Sequence, residues 1–317
     1  MMRLATVLTP MSDENLTLAA QCGVTDVVGR YPGSNLDDLL QLRDRIESFG
    51  MNLSVIEGYL PIEQLKAGRD DGSELSAMTS LLQNMQKAGI PLLCYNFMAG
   101  TDWVRTRLDV SERGGAKVTA FDLADVHRAM SLNANASKMS CEAISSEKLW
   151  QNLECFLKAL IPVAETANVT MCMHPDDPPL PELQGKARIM NSVENFEKLV
   201  DLFPSPSNAI CFCQGTFASM GVDIPASIRR LGKHIKYVHF RDVRGTNESF
   251  VETFHDNGDT DMSAAMRAYR QVGFSGPIRP DHVPQLYGED EGEPGYTMLG
   301  RLFAYGYIRG LMQATES

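Results

Sequence analysis

The sequence predicts an α/β fold, a single (β/α)₈ TIM barrel that spans residues 1–317. Short apolar runs rich in β-branched residues alternate with amphipathic stretches of helical period, a pattern typical of parallel strands joined by crossover helices. Eight such runs occur, and eight parallel strands close a barrel. No glycine-rich phosphate loop follows the first run, which disfavours the alternative, an open doubly wound sheet.

The predicted strands can be read in order along the chain. Between them, stretches such as DENLTLAAQCG, LDDLLQLRDRIESFG and SAMTSLLQNMQKAG carry apolar residues at helical spacing and end in glycine, as capped helices do. We therefore expect a helix on the outside of the barrel after most strands. The eight strands are predicted at residues 3–8, 26–29, 53–57, 92–97, 169–174, 209–213, 235–240 and 277–281.

Two connections are longer than the short loops of a minimal barrel. One covers about residues 99–147, after the fourth strand, and the other covers residues 285–294, after the eighth strand. Both follow the carboxyl ends of strands, where barrel enzymes hold their active sites. We expect the first insertion to be a loop that includes a lid, within one domain.

Composition and charge exclude several classes of partner. The chain has 44% hydrophobic and 22% charged residues and a net charge of −11, which excludes nucleic acid and anionic membrane surfaces as partners. A small anionic substrate remains possible because a local site can be positive within an acidic protein. The chain shows no secretory signal, no run of roughly 18 apolar residues and seven scattered cysteines, so we expect a cytoplasmic protein with reduced thiols.

Four consecutive predicted strands end in side chains that can bind a metal ion. The strand ends read MCMHPDDPP, CFCQG, YVHFRD and IRPDH. Because the carboxyl ends of parallel strands meet at one rim, these side chains should converge. Two imidazoles, a thiolate and a carboxylate suit zinc, manganese or iron without choosing among them, and a site at the rim favours a catalytic ion. The candidate ligands are His174, Cys213, His239 and Asp281.

The residue two positions before each candidate ligand shares its face of the strand. Period-two alternation therefore directs these residues into the barrel interior, below the ligands. A cysteine on a strand usually serves as a small apolar core residue. We assign that packing role to Cys94, Cys172 and Cys211.

Further candidates flank the ligands. His282 follows Asp281 directly and, as an imidazole, can transfer protons near neutral pH; its alternative is a surface position at a loop start. Arginines near the rim can hold a carboxylate through paired hydrogen bonds, or can simply begin a solvated helix. The candidate substrate-binding residues are Asn96, Trp103, Arg105, Arg241 and Arg301.

The segments LCYNFMAGTDWVRTRLD, MHPDDPP, CFCQGT, VHFRD, FHDNGDTDM, IRPDH and PGYTMLGR together resemble the mannonate dehydratase family, in order and at similar spacing. The resemblance implies a barrel that binds Mn²⁺, or alternatively Fe²⁺ or another divalent ion, and converts D-mannonate to 2-keto-3-deoxy-D-gluconate and water. It implies the four ligands named above, His282 and Tyr296 as the acid–base pair, and a homo-oligomer.

Dehydration of a sugar acid removes the weakly acidic C2 proton and expels the C3 hydroxyl. A metal ion stabilises the enolate-like charge, and two proton-transfer groups complete the elimination. We assign proton donation to His282 and proton abstraction to Tyr296. The alternatives are a metal-dependent sugar isomerase or epimerase, a dehydratase of another aldonic acid, and a protein without activity, either a sugar-acid sensor or a barrel with a purely structural metal.

The chain departs from the family pattern at three places. The first strand lacks the usual Arg-Trp pair, the insertion after the fourth strand is shorter, and Pro284 replaces a second histidine in the RPDHGH-like run. None of these changes removes a candidate metal ligand. They leave the exact sugar acid open.

Overall fold

The computed structural model describes residues 1–100, 103–131 and 142–316. Eight parallel strands close into a barrel, which confirms the predicted fold class. Each strand overlaps its predicted range. The strands are β1 (Arg3–Val7), β2 (Asp26–Arg30), β3 (Asn52–Glu57), β4 (Leu92–Tyr95), β5 (Thr170–Met173), β6 (Asn208–Cys213), β7 (Ile235–Phe240) and β8 (Pro277–Pro280).

Four of these strands end one or two residues before the predicted limit. The difference matters at β5 and β8, because His174 and Asp281 lie immediately beyond the last strand residue. His174 still donates its backbone N–H to the carbonyl of Tyr95 at 2.7 Å. Pro175, which has no N–H, cannot extend the ladder. The side chains of His174 and Asp281 therefore lie at the rim of the barrel, directly after the last residues of β5 and β8.

Strand register closes the barrel and aligns the site. β1 pairs with both β2 and β8, for example Leu4 with Ile278. In the β6–β7 ladder, Cys213 lies opposite His239. Two predicted ligands are consequently neighbours by backbone pairing alone.

Helices surround the barrel, and their ends carry the expected signals. In α1 (Asp13–Gln21), the Ser12 side chain accepts a hydrogen bond from the Asn15 N–H at 3.2 Å, and two acidic residues occupy the first turn. The other helices are α2 (Leu36–Glu47), α3 (Glu63–Ala67), α4 (Ser73–Ala88), α5 (Ser146–Thr166), α6 (Val193–Leu202), α7 (Gln214–Ser219), α8 (Ile224–Leu231), α9 (Met262–Gln271) and α10 (Met298–Ala314). Among the described residues, no helix has the length and apolar character needed to cross a membrane.

Among the described residues, buried apolar side chains fill three regions: one between barrel and helices, a second inside the barrel, and a smaller third around Phe121 and Phe250. Cys94, Cys172 and Cys211 are buried in the second region beside Val55 and Tyr237, which confirms their predicted packing. Small and medium side chains suit this position because inward residues from eight strands share a narrow space.

The insertion after β4 is not simply a loop. Its strands Arg107–Ser111 and Lys117–Asp122 form an antiparallel sheet with Ser249–Glu252 and Val243–Gly245, which follow β7. The predicted lid is thus largely a sheet that joins two connections at the rim; residues 101, 102 and 132–141 of it lie outside the described residues. The sheet also contacts the connection after β8, where Lys117 and Gln285 exchange backbone hydrogen bonds.

Candidate metal centre and acid–base site

Three of the four predicted ligands meet at the rim. The donor atoms of His174, Cys213 and His239 all lie within 4.8 Å of one another, and all three side chains are buried. The rings of His174 and His239 have centroids 4.8 Å apart. Neighbouring strand ends thus produce a compact set of two nitrogens and one sulfur.

His174 has one ring nitrogen whose hydrogen bonding is incomplete. Its Nδ1 lies 2.7 Å from the carbonyl oxygen of Pro175, so Nδ1 carries the proton and donates it. Nε2 then keeps a lone pair, and this buried atom has no hydrogen-bond partner. Because an unsatisfied buried polar atom is costly, a cation at Nε2 would account for the arrangement.

Cys213 has the charge state of a metal ligand. Burial by itself would raise the pKa of its thiol, but Arg241 and His174 lower that pKa well below its usual value. The Thr216 hydroxyl donates to Sγ at 3.1 Å. The thiolate is the form of cysteine that binds metals.

Asp281 lies at the edge of this set. Its Oδ2 is 3.8 Å from the Cys213 Sγ and 3.6 Å from the His239 Nδ1. Burial would raise the pKa of Asp281, but Arg279 and His282 lower it well below its usual value, so the carboxylate is ionised. Two imidazoles, a thiolate and a carboxylate therefore fit a divalent ion of the zinc, manganese or iron type.

Sequence reasoning missed Glu57, which closes the set from the end of β3. Its Oε2 accepts a hydrogen bond from the Tyr237 hydroxyl at 2.8 Å and lies 3.2 Å from the His239 Nε2. Arg279 donates to Glu57 Oε1 at 2.8 Å and to Asp281 Oδ1 at 2.7 Å. Glu57 thus fixes the His239 ring. The signal was available, since Glu57 is an acidic residue at the end of a predicted strand.

His282 is oriented by a carboxylate from the additional sheet. Its Nδ1 lies 2.8 Å from Glu252 Oε1 and 3.1 Å from Arg105 Nη2. Its Nε2 is buried without a hydrogen-bond partner, 3.9 Å from Asp281 Oδ1. The pairing with Glu252 directs the free nitrogen toward the metal ligands. No sequence signal pointed to Glu252, because its role depends on how the connection after β7 folds.

Tyr296 lies beside His282, with ring centroids 5.5 Å apart in an edge-to-face contact. The guanidinium carbons of Arg30 and Arg301 lie 5.5 Å and 5.2 Å from its ring centroid. Burial, together with the Asp281 carboxylate, raises the pKa of Tyr296 to about 12. The phenol is therefore protonated at neutral pH. His282 and Tyr296, the two residues predicted as the acid–base pair, lie in contact with each other.

Two of the arginines predicted to bind the substrate contact carboxylates of the protein. Arg105 forms a two-point pair with Asp177 at 2.8 and 3.0 Å and contacts Glu252 at 2.6 Å. Arg241 contacts Asp177, Glu252 and Asp281 at 2.8–3.1 Å. Such pairs stabilise a buried guanidinium, and a role of either arginine in substrate binding stays a prediction.

Gly215 makes room for one of these arginines. A Cβ at this position would lie 2.8 Å from the Arg241 Cγ, closer than real carbon contacts allow. The glycine of the CFCQG motif therefore has a packing reason. It lets the Arg241 chain pass close to the first turn of α7 and reach its carboxylates.

Arg301 is the predicted substrate-binding arginine that keeps its charge unpaired. It is fully buried, and none of its three guanidinium nitrogens has a hydrogen-bond partner. Burial lowers its pKa from the usual value. Such a group next to Tyr296 fits an anionic ligand better than the packed interior around it.

The two remaining candidates also lie near the site. The Trp103 ring is almost buried and contacts His174 edge to face, with centroids 6.3 Å apart. The Asn96 Oδ1 accepts hydrogen bonds from Lys66 Nζ at 3.0 Å and from the Met98 N–H at 3.1 Å. Trp103 thus borders the metal ligands, whereas the Asn96 oxygen is engaged within the protein.

Comparison with known proteins is consistent with this geometry. Residues 11–317 match the family described as D-mannonate dehydratase (UxuA). The mannonate dehydratase of Streptococcus equi subsp. zooepidemicus is 35% identical over 302 residues, covering 88% of this chain and 83% of that protein. The mannonate dehydratase of Oceanobacillus iheyensis is 33% identical over 302 residues, covering 89% and 86%.

Solved structures show the same relation. The crystal structure of mannonate dehydratase from Streptococcus suis serotype 2 gives a TM-score of 0.88 at 30% identity and covers 99% of this chain and 95% of that chain. An L-ribulose 3-epimerase structure gives a TM-score of 0.65 at 14% identity, with 99% and 96% covered. At that identity the second likeness shows the barrel fold alone.

Proposed function

The chain belongs to the D-mannonate dehydratase family, and on that basis we propose that it is a metal-dependent hydro-lyase that converts D-mannonate to 2-keto-3-deoxy-D-gluconate and water. One observation carries the proposal most directly. The oriented His282 and the protonated Tyr296 stand side by side, with the His282 Nε2 only 3.9 Å from Asp281. A binding protein needs a charged pocket but no such proton-transfer pair next to metal ligands.

We assign the metal to His174, Cys213, His239 and Asp281, with Glu57 holding the His239 ring. A divalent ion bound there would withdraw electron density from the substrate carboxylate and so stabilise the enolate-like charge. The family resemblance favours Mn²⁺, with Fe²⁺ as the alternative. The thiolate of Cys213 is compatible with either ion.

Arg301 is the residue we assign to the charge of the sugar acid. Its guanidinium is buried and unpaired, and it lies against the ring of Tyr296. A substrate carboxylate or a hydroxyl oxygen in its range would satisfy its free donors. The acidic net charge of the chain is therefore no obstacle to an anionic substrate.

The hydrogen bonds favour the opposite order of proton transfer from the one expected from sequence. The His282 Nδ1 proton points to the Glu252 carboxylate, which leaves the lone pair on Nε2 to take the C2 proton. Tyr296, whose pKa is raised to about 12, holds its proton and can give it to the departing C3 hydroxyl. Water then leaves, and the enol product tautomerises to the keto acid.

The test of the function is a product assay. Purified Mn²⁺-loaded enzyme is incubated with a panel of hexonates and pentonates, and the products are identified by mass and by a 2-keto-3-deoxy acid assay. We expect D-mannonate to lose one water with the highest kcat/KM. Formation of only an epimerised aldonate would establish the isomerase or epimerase alternative, and binding without turnover would establish a sensor.

A further inference from the structure

A second set of metal-binding side chains lies directly below the first. The donor atoms of Cys94, Cys211 and His239 all lie within 4.8 Å of one another, and all three residues are buried. The two thiols belong to the packed interior of the barrel, and the mechanism above uses neither of them. His239 is common to both sets.

We propose that Cys94, Cys211 and His239 form an inhibitory site for thiophilic divalent ions such as Zn²⁺ and Cd²⁺. The binding of an ion follows from the donor set alone. The inhibition rests on the proposed function, because it acts through the His239 that the two sets share.

The barrel brings the two thiols together without backbone pairing. Side chains from alternate strands of such a barrel share one layer of its interior. Cys94 lies on β4 and Cys211 on β6, with β5 between them. In the β6–β7 ladder, Cys211 pairs with Tyr237, and His239 is the next residue of β7 on the same face. The imidazole therefore stands just above the thiol pair.

The geometry favours a bridging ion over a disulfide. Two strand spacings of about 4.8 Å separate the β4 and β6 backbones by roughly 9–10 Å. A disulfide requires Cα atoms within about 7 Å. An ion with bonds of about 2.3 Å to each sulfur holds the sulfurs roughly 3.8 Å apart. The observed separation within 4.8 Å needs only small side-chain shifts to reach that value.

The surrounding charges can balance such an ion. Glu57 Oε2 lies 3.2 Å from the His239 Nε2 and brings a negative charge to the site, while Arg279 contacts the other oxygen of Glu57 at 2.8 Å. Two thiolates and one carboxylate neutralise a divalent ion and one guanidinium. On binding, the two thiols release their protons to solvent, and no redox step occurs.

Occupation of this site opposes catalysis. An ion that takes His239 leaves the first site with His174, Cys213 and Asp281, which can still hold an ion but without the full ligand set that catalysis needs. Thiolate donors select soft ions, so Mn²⁺ has little affinity for this set, whereas Zn²⁺ and Cd²⁺ bind it well. Inhibition should therefore persist when Mn²⁺ is saturating.

The experiment measures Cd²⁺ stoichiometry on the full chain by equilibrium dialysis and by thiolate-to-cadmium ultraviolet absorption. We expect about two ions per wild-type chain and about one in Cys94→Ala and Cys211→Ala. Cys172→Ala is the matched control, since Cys172 is buried in the same interior but belongs to neither set. One ion per wild-type chain, or two in both test variants, would overturn the site.

Inhibition is then measured with saturating Mn²⁺, each variant relative to its own uninhibited rate. We expect Cd²⁺ to inhibit the wild type and Cys172→Ala, and to inhibit Cys94→Ala at least about tenfold less strongly. Equal inhibition of the wild type, Cys172→Ala and Cys94→Ala would overturn the inhibitory role. The Cd²⁺ stoichiometry would then still show whether the second site binds an ion. If D-mannonate is not dehydrated, the dialysis result stands independently.

Discussion

The metal ligands and the arginine network at the rim are built in opposite ways. The metal ligands, which form the first of these two regions, lie at the ends of adjacent strands. One of them, His174, keeps a buried ring nitrogen without a hydrogen-bond partner. In the second region, the arginine network, Arg105 and Arg241 donate hydrogen bonds of 2.6–3.0 Å to the carboxylates of Asp177 and Glu252. The difference shows which groups await a ligand and which hold others in place.

The largest expected effect comes from the residue where the two regions meet. His282→Asn removes the proposed base, and kcat should fall about 10²- to 10⁴-fold, the usual contribution of a positioned acid or base. Metal content should stay at the wild-type level, because Asn leaves the metal ligands intact. Steady-state kinetics and elemental analysis check both values.

The control is the exposed His127→Asn, which should keep wild-type kinetics. Retention of turnover within a few-fold in His282→Asn would show that His282 is not catalytic.

Cys213→Ser tests the first region. A serine hydroxyl is a far poorer anion than the thiolate, so metal affinity should fall by more than the roughly 10- to 100-fold seen for changes around a metal site. Activity and metal content should fall together and recover together at high Mn²⁺. Cys155→Ser, at an exposed cysteine, is the control. An unchanged metal stoichiometry would contradict the proposed ligands.

Glu252→Gln tests the positioning role of the second region. The amide can keep a hydrogen bond to His282 but loses the charge that orients the Nδ1 proton, so kcat should fall about 10- to 100-fold, less than on loss of the base. KM and metal content should change little. A rise in KM at constant kcat would instead place Glu252 in substrate binding. Glu252→Asp, which restores the charge, should recover part of the rate.

The smallest expected effect concerns stability in acid. Burial would raise the pKa of Asp177, but Arg105 and Arg241 lower it below its usual value. The folded chain therefore binds fewer protons than the unfolded chain, so this stabilisation is present above about pH 4 and is lost as the pH falls. Asp177→Asn should lower the free energy of unfolding by about 2 kcal/mol at pH 7.

Urea unfolding between pH 7 and pH 3 checks this. The difference between wild type and Asp177→Asn should shrink with decreasing pH. A difference that stays constant would assign the effect to packing, not to charge.

The sequence allowed much of the first region to be predicted. Local hydrophobic patterns predict the strands, and parallel topology brings the carboxyl ends of these strands to one rim. His174, Cys213 and His239 could therefore be placed together from residue types alone. Glu57 followed the same rule and was overlooked. The second region was not predictable. Arg105 and Glu252 are 147 residues apart, and their contact depends on how two connections form one sheet.

By itself, then, the sequence determined the barrel, the family and the set of chemical groups at its rim, because these follow from short-range periodicity and the order of strands. Only the tertiary structure decided which buried arginines form ion pairs with carboxylates of the protein and which do not. Arg105 and Arg241 pair within the protein, whereas Arg301 does not. That outcome depends on distances of a few ångströms between residues far apart in the chain, since burial makes every unpaired charge costly.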